Sequence, residues 1–120
     1  MHLVRHAEAP AYDAPGHEGF EMRRLQGREA GPGDAAWIGL SLVAPGGRTT
    51  LTASAAEKFY VVIDGTLEIT GCLPDGVSRT EVLRALDSCR IAPGEARMLV
   101  NHGNAPARVL LVMAEPPRPV

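Results

Sequence analysis

Glycine and proline make up 23 of the 120 residues and are spaced so that few uninterrupted runs could hold a helix of several turns. Between them lie short stretches rich in β-branched and aromatic residues, the cadence of many strands joined by tight turns. The expected class is all-β. Residues 37–44 (WIGLSLVA) read as a buried strand ended by Pro45-Gly46-Gly47, residues 49–52 are β-branched, and residues 58–64 (KFYVVID) form the strongest strand pattern in the chain. Asp64-Gly65 followed by the alternating residues 66–70 (TLEIT) predicts a hairpin. A second hairpin is expected from residues 96–101, the polar turn His102-Gly103-Asn104 and residues 107–113. Residues 81–83 and 88–91 read as strands; the capping-box pattern Ser78-x-x-Glu81 is the competing helical reading, outweighed by the strand-turn cadence around it. Pro10 and Pro15 break up residues 1–20, an expected arm or lid, leaving a barrel over 21–114 and a Pro-rich tail over 115–120. There is no repeat at solenoid spacing.

Charge and cysteine usage narrow the function. Twelve basic against fourteen acidic residues give a net charge of −2, without the basic excess that nucleic-acid binding requires. No apolar run approaches the roughly 20 residues of a membrane span, and no apolar segment follows a basic start, so the expectation is a cytoplasmic protein without a membrane partner. Cys72 and Cys89 stand alone, outside any CxxC or Cys/His cluster, and are expected to be buried thiols, although spacing alone leaves a disulfide open. Of the twelve basic residues eleven are Arg; Lys58 is the sole lysine.

Gly46, Thr52, Ser54, Lys58 and Gly65 fall at the spacing G-x5-H-x-H-x3-E-x6-G, and Leu86, Pro93-Gly94, Arg97 and Asn101 follow G-x5-P-x-G-x2-H-x3-N, with Leu86 in place of the first glycine and Pro93 one position late. Over residues 37–113 the chain therefore resembles the cupin family. The resemblance implies a single-domain jelly-roll β-barrel, a double-stranded β-helix whose function sits in the barrel mouth, and a homodimer formed by sheet packing with Phe59, Val61 and Ile63 as the candidate face. Family members that bind a divalent metal hold it with two His, a Glu and a third His. Here those positions are Thr52, Ser54, Lys58 and Arg97, two hydroxyls and two cations, so the expectation is no metal and no cofactor.

In that register strand alternation turns Lys58, Tyr60 and Val62, and likewise Arg97, Leu99 and Asn101, toward the barrel interior. A cationic floor with apolar walls suits a small organic anion of the carboxylate type, bound by Arg97 and assisted by Thr52, Ser54 and Asn101. Beside Arg97 the Lys58 amine is expected to have a lowered pKa and to act as base or nucleophile, with Tyr60 as a phenol donor and His17 on the arm as a general acid or base. An isomerase or lyase reaction without metal fits this equipment. Three alternatives stand beside it: Lys58 and Arg97 paired with Glu57, Glu68 or Glu95, leaving no anion site; a non-catalytic binding or sensor module; and a metal-dependent enzyme using His17 or His102 with Glu57. Trp37 and Tyr60 are also ordinary core aromatics. His2-x3-His6 has helical ligand spacing but lies beside Pro10, and residues 3–8 (LVRHAE) resemble the nucleophile motif of histidine phosphatases without the α/β context which that family needs.

Overall fold

The short β-branched runs form ten strands in the computed structural model, which describes residues 1–116: β1 Ala11–Tyr12, β2 His17–Gln26, β3 Ala36–Thr49, β4 Thr52–Ala53, β5 Lys58–Asp64, β6 Leu67–Cys72, β7 Ser78–Leu83, β8 Ser88–Ile91, β9 Ala96–Val100 and β10 Ala107–Ala114. Helix is confined to single 3-10 turns at His6–Glu8 and Arg28–Ala30. Among the described residues no helix is long and apolar enough to cross a membrane. Two sheets face each other in a jelly-roll barrel. The first half of β3 pairs with β10, β10 with β5, and β5 with β8; past residue 47, β3 pairs with β9, which carries β4 and β6, and β6 carries β7, while β2 lies along β3 on both sides of residue 47.

Pro45-Gly46-Gly47 does not end the strand, as the sequence predicts, but bends it. Gly46 takes φ +78° with open space around it, and β3 runs through it from one sheet into the other. Neighbouring β2 follows the bend with a register shift between Glu18 and Phe20. Because β2 starts at His17, the end of the expected arm already belongs to the barrel, and β1 lies antiparallel along it.

Neither predicted hairpin forms. Strand β5 has its edges on β10 and β8, and β6 on β7 and β9, so Asp64-Gly65 carries the chain from one sheet to the other. Strands β9 and β10 are also unpaired with each other. Turn residues specify that the chain reverses; which edge it then meets depends on partners distant in sequence. The strand reading of residues 81–83 and 88–91 holds, against the capping-box helix.

Alternation along the strands fills the barrel with Val43, Tyr60, Val62, Leu67, Ile69, Leu83, Ile91, Leu99 and Val109. Each such aliphatic side chain stabilises the fold by roughly 1.5–3 kcal/mol through burial. The opposite alternation leaves an apolar outer face on one sheet, where Leu40, Leu110 and Val61 lie in one cross-strand row and Ile38, Val112 and Phe59 in the next. Phe59 is 41% exposed. Cys72 and Cys89 are free thiols and only half-buried, a correction to the expected burial. His6 is exposed on its 3-10 turn, and His2 instead places Nε2 2.7 Å from the Ala30 carbonyl. Of the tail, Glu115 pairs with Arg28 at 2.7 Å, and residues 117–120 lie outside the described residues.

Candidate functional site

The barrel interior opens into a cavity of about 300 Å³. Strand β5 turns Lys58 and Tyr60 into it, β9 contributes Arg97 and Leu99, β4 brings Thr52, and the following turn supplies Ser54. The arm closes one side, since Tyr12, Ala14, Pro15 and His17 line the same cavity. The register Thr52↔Arg97 sets the hydroxyl and the guanidinium on adjacent strands. Lys58, Tyr60, His17, Arg97, Thr52 and Ser54 are thus gathered in one place.

Lys58 is only 5% exposed, and its Nζ donates to Ser54 Oγ at 2.7 Å. That oxygen also accepts from the Ala56 N–H at 3.3 Å, which leaves the hydroxyl proton of Ser54 to donate elsewhere. Burial, and then the charge of Arg97, push the Lys58 amine below the usual lysine range. Arg97 donates from Nε to the Tyr60 hydroxyl at 2.9 Å and from Nη1 to Thr49 Oγ1 at 3.4 Å and the Thr50 carbonyl at 3.3 Å. Its Nη2 has no hydrogen-bond partner among the described residues, so that nitrogen remains for a ligand. Burial raises the Tyr60 phenol against the opposing pull of Arg97, so it stays protonated and keeps its O–H as a donor. His17 packs edge-on against Phe20, and burial followed by Arg97 lowers its pKa, although the Pro15 carbonyl near Nδ1 opposes the shift. The imidazole is therefore held toward its neutral form.

Among the described residues no carboxylate lines this cavity. Glu57 pairs with Arg90 at 2.5 Å, Glu68 with His102 at 3.1 Å, and Glu95 accepts from the Ala92 N–H at 2.9 Å, so none of the three expected alternatives neutralises Lys58 or Arg97. Among the described residues no group of three His, Cys, Asp or Glu could hold a metal ion, so Glu57, His102 and His17 are not gathered into one. The divalent ion implied by the cupin resemblance does not fit Thr52, Ser54, Lys58 and Arg97, whose two cations would repel it.

Asn101 requires correction. It is 1% exposed and lies outside the cavity lining; its amide donates to the Val43 and Ala105 carbonyls, and its Oδ1 accepts from the Gly103 N–H at 2.9 Å. Inward alternation placed it among ligand contacts, but it fastens the 101–105 turn to β3. The sequence reading also passed over Arg24. From β2 its guanidinium lies 3.5 Å from the Tyr12 ring centroid and 4.0 Å from that of Trp37, while Nε reaches Glu29 at 3.2 Å. The available signal was the alternation Phe20, Met22, Arg24, whose three side chains all reach the cavity wall.

No protein-family model matches the chain. A relative from Mycobacterium tuberculosis (strain ATCC 25618 / H37Rv), named beta-D-galactosidase Rv1717, is 41% identical over 116 residues, covering 97% of this chain and 96% of that protein. Among solved structures, the polyketide cyclase RemF from Streptomyces resistomycificus matches with a TM-score of 0.80 and 25% identity, over 99% of this chain and 82% of its own. An RmlC-like cupin from Shewanella frigidimarina matches at 0.74 and 18%, over 95% and 90% of the two chains. A predicted oxalate decarboxylase from Thermotoga maritima matches at 0.76 and 23%, over 93% and 97%.

Proposed function

The chain belongs to the cupin superfamily and, within it, to the family of the mycobacterial beta-D-galactosidase Rv1717, and from that premise we propose that its barrel binds a small organic carboxylate and acts on it by metal-independent acid–base chemistry of the lyase or isomerase kind. One observation carries the reading: Lys58 and Arg97 share a cavity that no acidic side chain lines. Buried charge is ordinarily compensated by a partner. A ligand carboxylate would provide that partner, held by Nη2 of Arg97 and by Lys58, with Thr52 and Ser54 taking hydroxyl or carbonyl groups. Tyr60 would donate a proton to developing negative charge, and neutral His17 would accept one at the mouth. A binding module without turnover uses the same pocket, and catalysis distinguishes the two.

A second reading is β-D-galactoside hydrolysis, favoured by the name of the 41% identical relative. Hydrolysis of that kind ordinarily uses two carboxyl groups about 5–9.5 Å apart across the scissile bond. The cavity lining supplies none, so this activity would need Lys58, Tyr60 or His17 in their place.

Galactose and galacturonate, which differ only in the carboxylate, separate the readings. Calorimetry and turnover assays are expected to favour galacturonate and simple hydroxy acids over galactose, with both binding and turnover lost in Lys58→Met. Preferred cleavage of nitrophenyl β-D-galactoside, with no affinity for any carboxylate, would replace the first reading by the second.

The apolar outer face of Leu40, Leu110, Val61, Ile38, Val112 and Phe59 supports a homodimer. A second copy fits it better than an unrelated partner, because the flanking strands carry both signs of charge, Glu21 and Arg23 on β2 and Arg90 with Glu57 on β8 and the β5 approach, as a self-complementary contact requires.

A further inference from the structure

We propose that Lys58 forms a covalent imine with the carbonyl group of a short oxo acid whose carboxylate is held by Arg97. This inference rests on the carboxylate-binding reading above and names the substrate class for it. Three features of the cavity lead there. Lys58 is the sole lysine of the chain, its side chain is 5% exposed, and the cavity it enters is also lined by the apolar Leu99, Leu111 and Met113. Next, the amine faces no carboxylate that would hold it as an ammonium ion, and its cationic neighbour Arg97 disfavours a second positive charge, the setting in which a lysine becomes a nucleophile. Finally, its hydrogen bond runs to a hydroxyl: Ser54 Oγ at 2.7 Å, itself fixed by the Ala56 N–H, orients Nζ without neutralising it.

The roles divide accordingly. Arg97 and Lys58 both border Tyr60, the first through the 2.9 Å bond to its hydroxyl and the second two residues away on the same face of β5. Thr52 stands opposite Arg97 and lies two residues from Ser54, the partner of Nζ, so a short oxo acid is the ligand proposed to bridge the two cations. The Nζ lone pair attacks the carbonyl carbon, and the oxygen, protonated by Tyr60 or Ser54, leaves as water. From the neutral amine the two Nζ protons balance those that leave in the water, C=N replaces C=O, and one further proton, taken up from solvent, gives the protonated imine. No oxidant or reductant takes part. The positive charge of the protonated imine then draws electrons from the adjacent carbon, the step that loss of a proton there, or decarboxylation of a 3-oxo acid, needs.

Trapping tests this directly on the full chain. Incubation with pyruvate and cyanoborohydride, followed by peptide mass mapping, is expected to place a reduced adduct on Lys58 ahead of the terminal amine, the chain's only other primary amine. Acetone, which lacks the carboxylate, should show no preference for Lys58. Arg97→Met should lower the pyruvate labelling of Lys58 roughly tenfold or more. Lactate, which has no ketone, should protect Lys58. Labelling confined to the terminal amine while lactate still binds by calorimetry would overturn the imine and leave the carboxylate site standing. Absence of both labelling and lactate binding would remove both. Labelling of Lys58 by acetone and pyruvate alike would show a reactive amine without the proposed acid specificity and would overturn the oxo-acid assignment.

Discussion

The Lys58 side chain is buried, faces no acidic residue in its cavity and shares that cavity with Arg97, so folding places an amine where its charge is disfavoured. Lys58→Met should therefore stabilise the protein by roughly 0.5–2 kcal/mol at neutral pH while abolishing its activity, the opposition expected at a functional position. The sign follows from the lowered pKa. Between that value and the ordinary lysine value the unfolded chain binds more protons than the folded one, so wild-type stability climbs with pH through that window and the advantage of Met shrinks. Below the window the full cost remains. Urea unfolding of both proteins across pH checks this; a destabilised Lys58→Met would mean that the amine is a structural partner. Lys58 and Arg97 were legible in the sequence because two spacing patterns index them to the same barrel layer. Asn101 was misassigned because alternation reports which way a side chain points, not whether it meets a ligand or a carbonyl. Arg24 was missed because its place depends on Tyr12, Trp37 and Glu29, three residues brought together only by the pairing of β1, β2 and β3.

Among the strands and turns, the connection between β5 and β6 is tightly constrained. Gly65 has φ +75°, and a Cβ there would lie 2.8 Å from the Pro106 carbonyl oxygen and 2.9 Å from Ala107 Cα, both main-chain atoms with little freedom to yield. Gly65→Ala should cost roughly 1–3 kcal/mol, read as a lower urea midpoint with an unchanged slope. Gly46→Asn, at φ +78° with nothing within 4 Å, should cost less than about 1 kcal/mol and serves as the control. Equal losses at the two positions would place the penalty in backbone conformation alone. Asp64-Gly65 was correctly read as a reversal and wrongly as a hairpin. Its chemistry is the same whether the next strand returns beside the first or crosses to the facing sheet, and only β10 and β8, already on both edges of β5, exclude the return.

For the assembled barrel, the decisive test is the apolar outer face. Leu110 stands at its centre, in register with Leu40 on one side and Val61 on the other. Light scattering after size exclusion should give a dimer for the wild type and a monomer for Leu110→Glu, since an unpaired carboxylate in the middle of an apolar contact has no partner. A wild-type monomer, or a dimer indifferent to this change, would assign the contact elsewhere.

The all-β class, the positions of most strands from residue 58 onward and the inward set of Lys58, Tyr60, Arg97 and Leu99 were determined by sequence alone, because glycine and proline spacing and two-residue alternation are local properties. Strand partnership, the passage of β3 through its bend into the second sheet, the closure of the cavity by residues 12–17 and the absence of acidic side chains from the cavity lining among the described residues were decided only in three dimensions. Each depends on which distant edge or side chain a segment meets, and the free energy that selects it is shared among strands that no local pattern connects.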